Sequence, residues 1–523
     1  MDSNNKNLYK VLLSITGIAV LILGVILFYI PPAVFPDPGM GFQVLRCMEH
    51  GGSFNVFTSP DQGNISQNYS EFLTWWSPGQ YVIPWFFKLI AGVNTGRAIA
   101  ITITVAQLFG LAGFYAFFKK IGFTPLISAV GIVFIICQQA FVAPYVFYNG
   151  GETLLFAFEG WFLYGCTALQ KPGLKLVLFV LFCGWIGFFL KSSFLWIYAA
   201  GLCYLWVRLS SASSGILGWV KKGLWIAIPA GISLACIYLF FLSKGENPAS
   251  ASSGLKLTAE TFTFPLASPI LSGFSFDDLV NGLMFHNGPP IFNPTWSIVI
   301  VIILAVASLL LMIRLIRSIP NKNYGLVLFV FYAVALLFFG FAFLRQLSIS
   351  YEARHFRIIG LLIAPGVIYL ISRLKSLYQL TFGALFLAIA CISFSYLTKG
   401  FKINKNINAK GISGISQPFI DQPSLNHIMA LDKENRNATF VFVSIDLGLE
   451  IKNNRVITLP TIGDDLKIEV DDYRYDGHAG SLFIVLPETY AGPKEKMIMK
   501  SFPGYKGFNL SMLSDKYVLY SAK

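Results

Sequence analysis

Eleven stretches of this chain are apolar for long enough to cross a hydrocarbon core of roughly 30 Å, and no other feature constrains its fold as much. They fall near residues 8–30, 97–118, 125–146, 152–169, 174–190, 194–209, 223–242, 295–316, 324–344, 357–373 and 378–397. In a bilayer every backbone polar group must be satisfied within the protein, and long apolar runs achieve that as helices. The expected fold is a polytopic α-helical membrane protein of about 11 spans. A length of 523 residues would otherwise suggest three or four soluble domains at about 150 residues each. Only 12% of the residues are charged, however, against about 25% in an ordinary soluble protein. The first run, Leu8 to Ile30, exceeds a signal-peptide core and leads into a Pro-rich segment rather than a small-residue cleavage site, so it is expected to remain as a span. The 49 Phe, 23 Tyr and 10 Trp are dispersed through apolar runs instead of alternating with basic clusters, which argues against a nucleic-acid partner.

One further segment, Gly79 to Gly92, decides the topology. If it crossed, every later loop would change side, and the basic loops at Lys119/Lys120, Lys171/Lys175, Lys221/Lys222, Arg314/Arg317/Lys322 and Arg373/Lys375 would all face outward, against the positive-inside rule. Read as an interfacial helix lying flat on the outer surface, it leaves 14 Lys and Arg on the inner side against the single acid Asp2. The N-terminus is then inside and the C-terminus outside. The expected organisation is a membrane domain, 1–400, with outer loops 31–96 and 243–294, followed by a soluble extracytoplasmic domain, 401–523.

Charge supports that division. Of the formal net +13, residues 1–400 supply 24 Lys and Arg against 12 Asp and Glu, whereas 401–523 hold 15 against 14. The tail reads as a small α/β unit, with short β-branched or aromatic runs at Thr439–Ser444, Arg455–Leu459, Ser481–Leu486 and Tyr517–Ser521 and a helical stretch at Pro493–Ser501. It shows no phosphate loop. The seven cysteines make no disulfide framework or zinc spacing, and all but Cys47 sit in apolar runs.

Charged residues recur at the outer ends of the spans: Asp37, Arg97, Glu152, Lys191, Arg345, Arg354 and Arg357. Each can be read as snorkelling to the headgroups, but their concentration on one side suggests a cavity. The first outer segment begins Phe35-Pro36-Asp37-Pro38-Gly39. It continues through a short amphipathic stretch to Glu49-His50-Gly51-Gly52, then Trp75-Trp76-Ser77-Pro78-Gly79, and reaches Gly96-Arg97 at the second span. This order resembles the GT-C membrane glycosyltransferases, in the branch of protein O-mannosyltransferases and the aminoarabinose lipid A transferase. Asn149-Gly150-Gly151-Glu152 falls where that family often places a second acid. Leu190-Lys191-Ser192-Ser193 is similar to its Thr-Lys motif, and Glu352-Ala353-Arg354-His355-Phe356-Arg357 to its Glu-x-Arg-Tyr segment, with His355 in place of Tyr and Pro365 displaced. The match covers about 31–200 and 345–370 and does not extend to the tail.

The resemblance implies an inverting glycosyltransferase that uses a polyprenyl-phosphate sugar donor on the outer face of the membrane. Asp37 would be the catalytic base, or else a helix cap beside Pro38; Glu152 would be a second acid, or else a favourable charge at a helix N-terminus. Lys191 and Arg354 would hold the donor phosphate, with Arg345, Arg357, Glu352, His355 and Arg97 as further substrate-binding candidates. Glu159, seven residues after Glu152 on the same helical face, is an intramembrane acid and hence a candidate by position, with a structural hydrogen bond as the alternative. Asp277, Asp278 and His286 read as surface residues of the 243–294 loop. No metal-ligand spacing is present, although metal use varies within the family and a divalent cation stays open. The acceptor would be a glycan, lipid or protein. The absence of a β-trefoil tail favours a bacterial inner membrane, while outward sequons at Asn64, Asn68, Asn437 and Asn509 keep a eukaryotic setting in view. A lipid-linked oligosaccharide polymerase or ligase is the first rival. A transporter is the second, and it lacks the expected paired half-repeats.

Overall fold

The computed structural model describes residues 5–211, 215–246, 252–276, 294–459, 473–490 and 492–523. Asp277, Asp278 and His286 lie outside them. The chain divides into two compact units, one formed by Met1–Leu23, Ile103–Pro144 and Gly151–Thr398, the other by Gly24–Thr102, Tyr145–Gly150 and Lys399–Lys523.

All eleven apolar runs are helical, from Asn5–Tyr29 to Ser376–Asn406. Among the described residues, seven helices have the length and apolarity to cross a membrane, or eight if one bent pair counts as a single span. Leu174–Leu190 and Phe194–Ser210 have 17 residues each, so they rise only about 26 Å at 1.5 Å per residue. The helix Gly79–Ala91, 13 residues with Pro84 inside, rises about 20 Å and ends at Gly92 in the left-handed conformation (φ 63°). Alone it is too short to cross.

The run expected over 125–146 is not one rod. Pro125–Ile136 and Gln139–Tyr145 meet at 68°. The break falls at Gln138, whose backbone is extended. Its buried side chain donates to the carbonyl of Gly273 at 3.0 Å and accepts from Ser275 Oγ at 3.3 Å. A buried amide that must find polar partners overrides the local apolar pattern.

The expected loop 243–294 contains a buried helix, Glu260–Gly273, despite Pro265 and Pro269. Neighbouring helices supply hydrogen bonds to backbone groups beside the prolines. Ile270 N–H donates to Ser308 Oγ at 3.2 Å, Ser308 Oγ donates to the Ala267 carbonyl at 3.1 Å, and Tyr332 OH donates to the Leu266 carbonyl at 2.7 Å. This helix packs on Pro294–Ser318, Lys322–Leu344 and Arg357–Ile371. Against the last, the backbones touch: a Cβ on Gly360 would lie 2.6 Å from the Ser272 carbonyl group. Small residues at such crossings let helices gain van der Waals contact that lipid cannot supply.

In the second unit a five-stranded sheet runs, in spatial order, Asn509–Met512, Tyr517–Ala522, Ser481–Pro487, Ala438–Phe442 and Arg455–Thr458, the last two parallel. Alternation splits its side chains between two cores. Leu482, Ile484, Val518 and Tyr520 meet Ile498 of the helix Pro493–Lys500 and Phe502 just after it. Phe440, Phe442, Phe483 and Val485 meet Leu425 and Ile428 of the helix Gln422–Glu434, which Asp421 caps by accepting from Ser424 N–H at 2.9 Å. Ile65, from the first outer segment, is fully buried in the first of these cores.

That segment is tied to the tail elsewhere too. Gln43, in the helix Pro36–Glu49, donates to the Ile445 carbonyl at 2.8 Å. Arg46 Nε donates to the Ile451 carbonyl at 2.7 Å and its Nη2 to that of Asn454 at 2.6 Å. Ser416 N–H donates to the Pro32 carbonyl at 3.1 Å, and Gly96 N–H to that of Ser413 at 2.9 Å. Residues 24–102 and 399–523 therefore make one packed unit.

Candidate active site

In the helical unit the site is built where helices begin and end. Gly151–Ala168 opens with Glu152 in its first turn, where a carboxylate is favoured by the helix dipole. Leu174–Leu190 ends at Lys191, whose extended backbone terminates the helix while its N–H still caps the Gly187 carbonyl. Glu152 Oε1 and Lys191 Nζ form an ion pair. Gly151 lacks the Cβ that would stand 3.0 Å from the Lys191 stem, so the lysine lies directly against the helix start.

Arg354 comes from a short 3-10 turn, Ala353–Phe356, that leads into Arg357–Ile371. Its Nη1 lies 3.5 Å from the same Glu152 oxygen, although 202 residues separate the two. Its Nε pairs with Glu352 Oε2. These side chains are only 10% (Glu152), 18% (Glu352), 20% (Lys191) and 26% (Arg354) exposed. Charges so shielded interact far more strongly than at a free surface.

Around this core the other expected residues take distinct places. Glu159 is buried two turns along the same helix, within electrostatic reach of Arg357 and Lys191. Arg357 Nη1 donates at 2.8 Å to the Ala140 carbonyl, in the short helix Gln139–Val142 beyond the break at Gln138. Its guanidinium thus supports the broken helix. His355 packs beside the ring of Phe339, with Nε2 at 3.4 Å from Ser350 Oγ. The Arg345 side chain is exposed, and its main-chain carbonyl accepts from Ser252 Oγ at 2.7 Å. Arg345 is not drawn into the cluster.

Asp37 and Arg97 belong to the second unit. Asp37 is half-buried in the first turn of Pro36–Glu49; the cap position itself is taken by Phe35, so Asp37 lies inside the helix rather than capping it. The preceding chain is fixed by Ala33–Val34 pairing in parallel with Phe147–Tyr148. The Arg97 guanidinium stacks over the Phe28 ring at 5.2 Å. Among the described residues, no three His, Cys, Asp or Glu side chains are grouped so as to hold a metal ion.

Sequence reasoning missed Gln138 and Gly151. Gln138 sits beside Gln139 in an apolar run, and a polar pair there is the available signal; Gly151 is one of 46 glycines and carries none.

No protein-family model matches the chain, and no curated protein matches it. Solved structures do match in fold. ArnT from Cupriavidus metallidurans bound to undecaprenyl phosphate aligns over 98% of both chains with a TM-score of 0.53 at 13% identity. The same protein in its apo state aligns over 97% of both with a TM-score of 0.50 at 13% identity. The mycobacterial arabinofuranosyltransferase AftD aligns over 98% of this chain and 39% of its own, with a TM-score of 0.49 at 11% identity. At such identity what is shared is the architecture: this polytopic helical chain has a fold like that of ArnT.

Proposed function

We propose that the chain is an inverting membrane glycosyltransferase that takes a sugar from a polyprenyl-phosphate donor and transfers it to an acceptor hydroxyl on the extracytoplasmic face. The observation that carries this reading is the convergence of Lys191 and Arg354 on Glu152. Two cations from distant parts of the sequence, both shielded, form a place where an anionic leaving group can be held and its developing charge stabilised. A structure with the same fold, ArnT, holds undecaprenyl phosphate, which supports a lipid phosphate as the ligand class.

Role by role, Lys191 supplies a point charge and Arg354 a planar fork suited to two phosphate oxygens. Asp37 accepts the proton of the acceptor hydroxyl, or orients it, as the attacking oxygen displaces the lipid phosphate from the anomeric carbon. Arg357 and Glu159 brace the wall of the site. The short helix Gly79–Ala91 lies flat on the outer surface, the N-terminus is inside, and residues 401–523 are outside, in a bacterial inner membrane.

The test is a comparison of lipids from cells with and without the intact gene. A transferase of this class leaves an accumulated polyprenyl-phosphate sugar when absent, and that lipid names the donor. Loss of a polymer with accumulation of a lipid-linked oligosaccharide would favour the polymerase or ligase reading instead.

A further inference from the structure

Both cations assigned above to the donor phosphate already carry a carboxylate. Glu152 is in contact with Lys191 and 3.5 Å from Arg354 Nη1; Glu352 pairs with Arg354 Nε and lies 3.5 Å from its Nη2. A phosphate cannot simply be added. Two like charges about 4 Å apart repel strongly where little water screens them. A carboxylate must therefore leave as the phosphate arrives.

The two acids are not equally free to do so. Glu152 is fixed in the first turn of a helix, is 10% exposed, and is shared between two cations. Glu352 stands on extended backbone (φ −129°, ψ 136°) just before the 3-10 turn, and it pairs with Arg354. Rotation of one side chain on a non-helical segment clears the Arg354 fork without disturbing a helix.

We propose that Glu352 is a placeholder: it occupies the anion position on Arg354 in the empty site, is displaced by the donor phosphate, and so excludes small soluble anions from it. The proposal rests on the phosphate-site reading above and adds a specificity device to it. Inorganic phosphate has only its own charge with which to break the Arg354–Glu352 pair. A polyprenyl phosphate is confined to the membrane by its hydrocarbon tail, so its headgroup meets the pair at a far higher effective concentration than a soluble anion does. Selectivity for lipid-borne over free phosphate follows from the internal competitor, with no contact to the lipid required of Glu352.

The experiment uses the full-length protein in detergent, with undecaprenyl phosphate as the probe and inorganic phosphate as the competitor. In the wild type, millimolar inorganic phosphate should leave undecaprenyl phosphate binding unchanged. In Glu352→Gln the lipid should bind about tenfold tighter, as for removal of a competing pair of intermediate burial, and inorganic phosphate should now compete. Glu352→Asp, which keeps the charge but shortens its reach, should move the same way by a smaller factor, so a poorly folded Gln variant does not end the test. Binding that is unchanged or weaker in both variants, while Arg354→Ala still weakens it, overturns the placeholder and leaves the phosphate site standing. If Arg354→Ala and Lys191→Ala leave lipid binding intact, the phosphate-site reading falls and the placeholder with it.

Discussion

Lys191→Met deletes an ammonium and keeps most of the stem that lies against Gly151, so it isolates the charge from the packing. Glu152, 10% exposed, then keeps the more distant Arg354, at 3.5 Å. Exposed ion pairs contribute about 0–1 kcal/mol, whereas removing one partner of a buried pair costs about 3–5 kcal/mol. With partners 20% and 10% exposed, the expected loss lies between these limits, at about 2–3 kcal/mol. Adding Glu152→Gln removes the stranded charge, so the double variant should recover most of that loss and show a coupling of about 2 kcal/mol between the two positions. The assay is the fraction of protein that stays monodisperse after heating in detergent. The midpoint should fall by several degrees in Lys191→Met and return close to wild type in the double variant. Undecaprenyl phosphate binding should stay weak in both, which separates the pair's structural role from its functional one. Simple additivity of the two substitutions, or a Lys191→Met variant as heat-resistant as wild type, would refute the reasoning.

Asp37→Asn should leave the melting midpoint unchanged and lower turnover by about 10² or more, the usual scale for losing a general base; wild-type turnover in a well-expressed variant removes the assignment. Gly360→Leu should abolish detergent-stable expression, because even a Cβ there meets the Ser272 backbone at 2.6 Å and the two helices have no flexible side chain to yield. Burial raises the Asp446 carboxyl to about 6, above its unfolded value of about 3.9, so its favourable contribution to stability is full below pH ~4 and is lost as pH rises through ~6. Melting in detergent from pH 4 to 8 should therefore show a smaller fall on the alkaline side in Asp446→Asn than in wild type, and identical profiles would count against it. For topology, cysteines introduced in 401–523 should react with an impermeant reagent added outside while one beside Lys119 or Lys221 should not; the reverse pattern means that Gly79–Ala91 crosses.

Helix positions were legible because an apolar run in a bilayer has one local solution. The helix Glu260–Gly273 was not, because two prolines break the helical signature and the groups that repair it, Ser308 and Tyr332, come from other parts of the chain. The bend at Gln138 was hidden for a related reason: 125–146 is apolar on average, and one amide decides its course. At the site, the residue types could be recognised from their places at span ends. Their meeting was implied only by the resemblance, since Glu152, Lys191 and Arg354 are joined across 39 and 202 residues and nothing local requires it. The union of the first outer segment with the tail left no trace at all. Gln43 and Arg46 donate to main-chain carbonyls, and any residue at 445, 451 or 454 would present the same oxygen.

That union sets an order of events during biosynthesis. Gln43 finds its acceptor 402 residues later in the chain. At about 5–20 residues per second, ribosomes need roughly 20–80 s to make the intervening polypeptide. For that interval the segment bearing Asp37 waits without the tail that will bury Ile65 and hold Arg46. The acid assigned to catalysis therefore acquires its fixed surroundings last, when the tail folds onto it. Truncation or slow folding of residues 407–523 would then leave the helices of the first unit formed and residues 31–96 without the partners that bury Ile65 and hold Arg46. A pulse-chase in which protease resistance of residues 31–96 lags behind membrane insertion would make that interval visible.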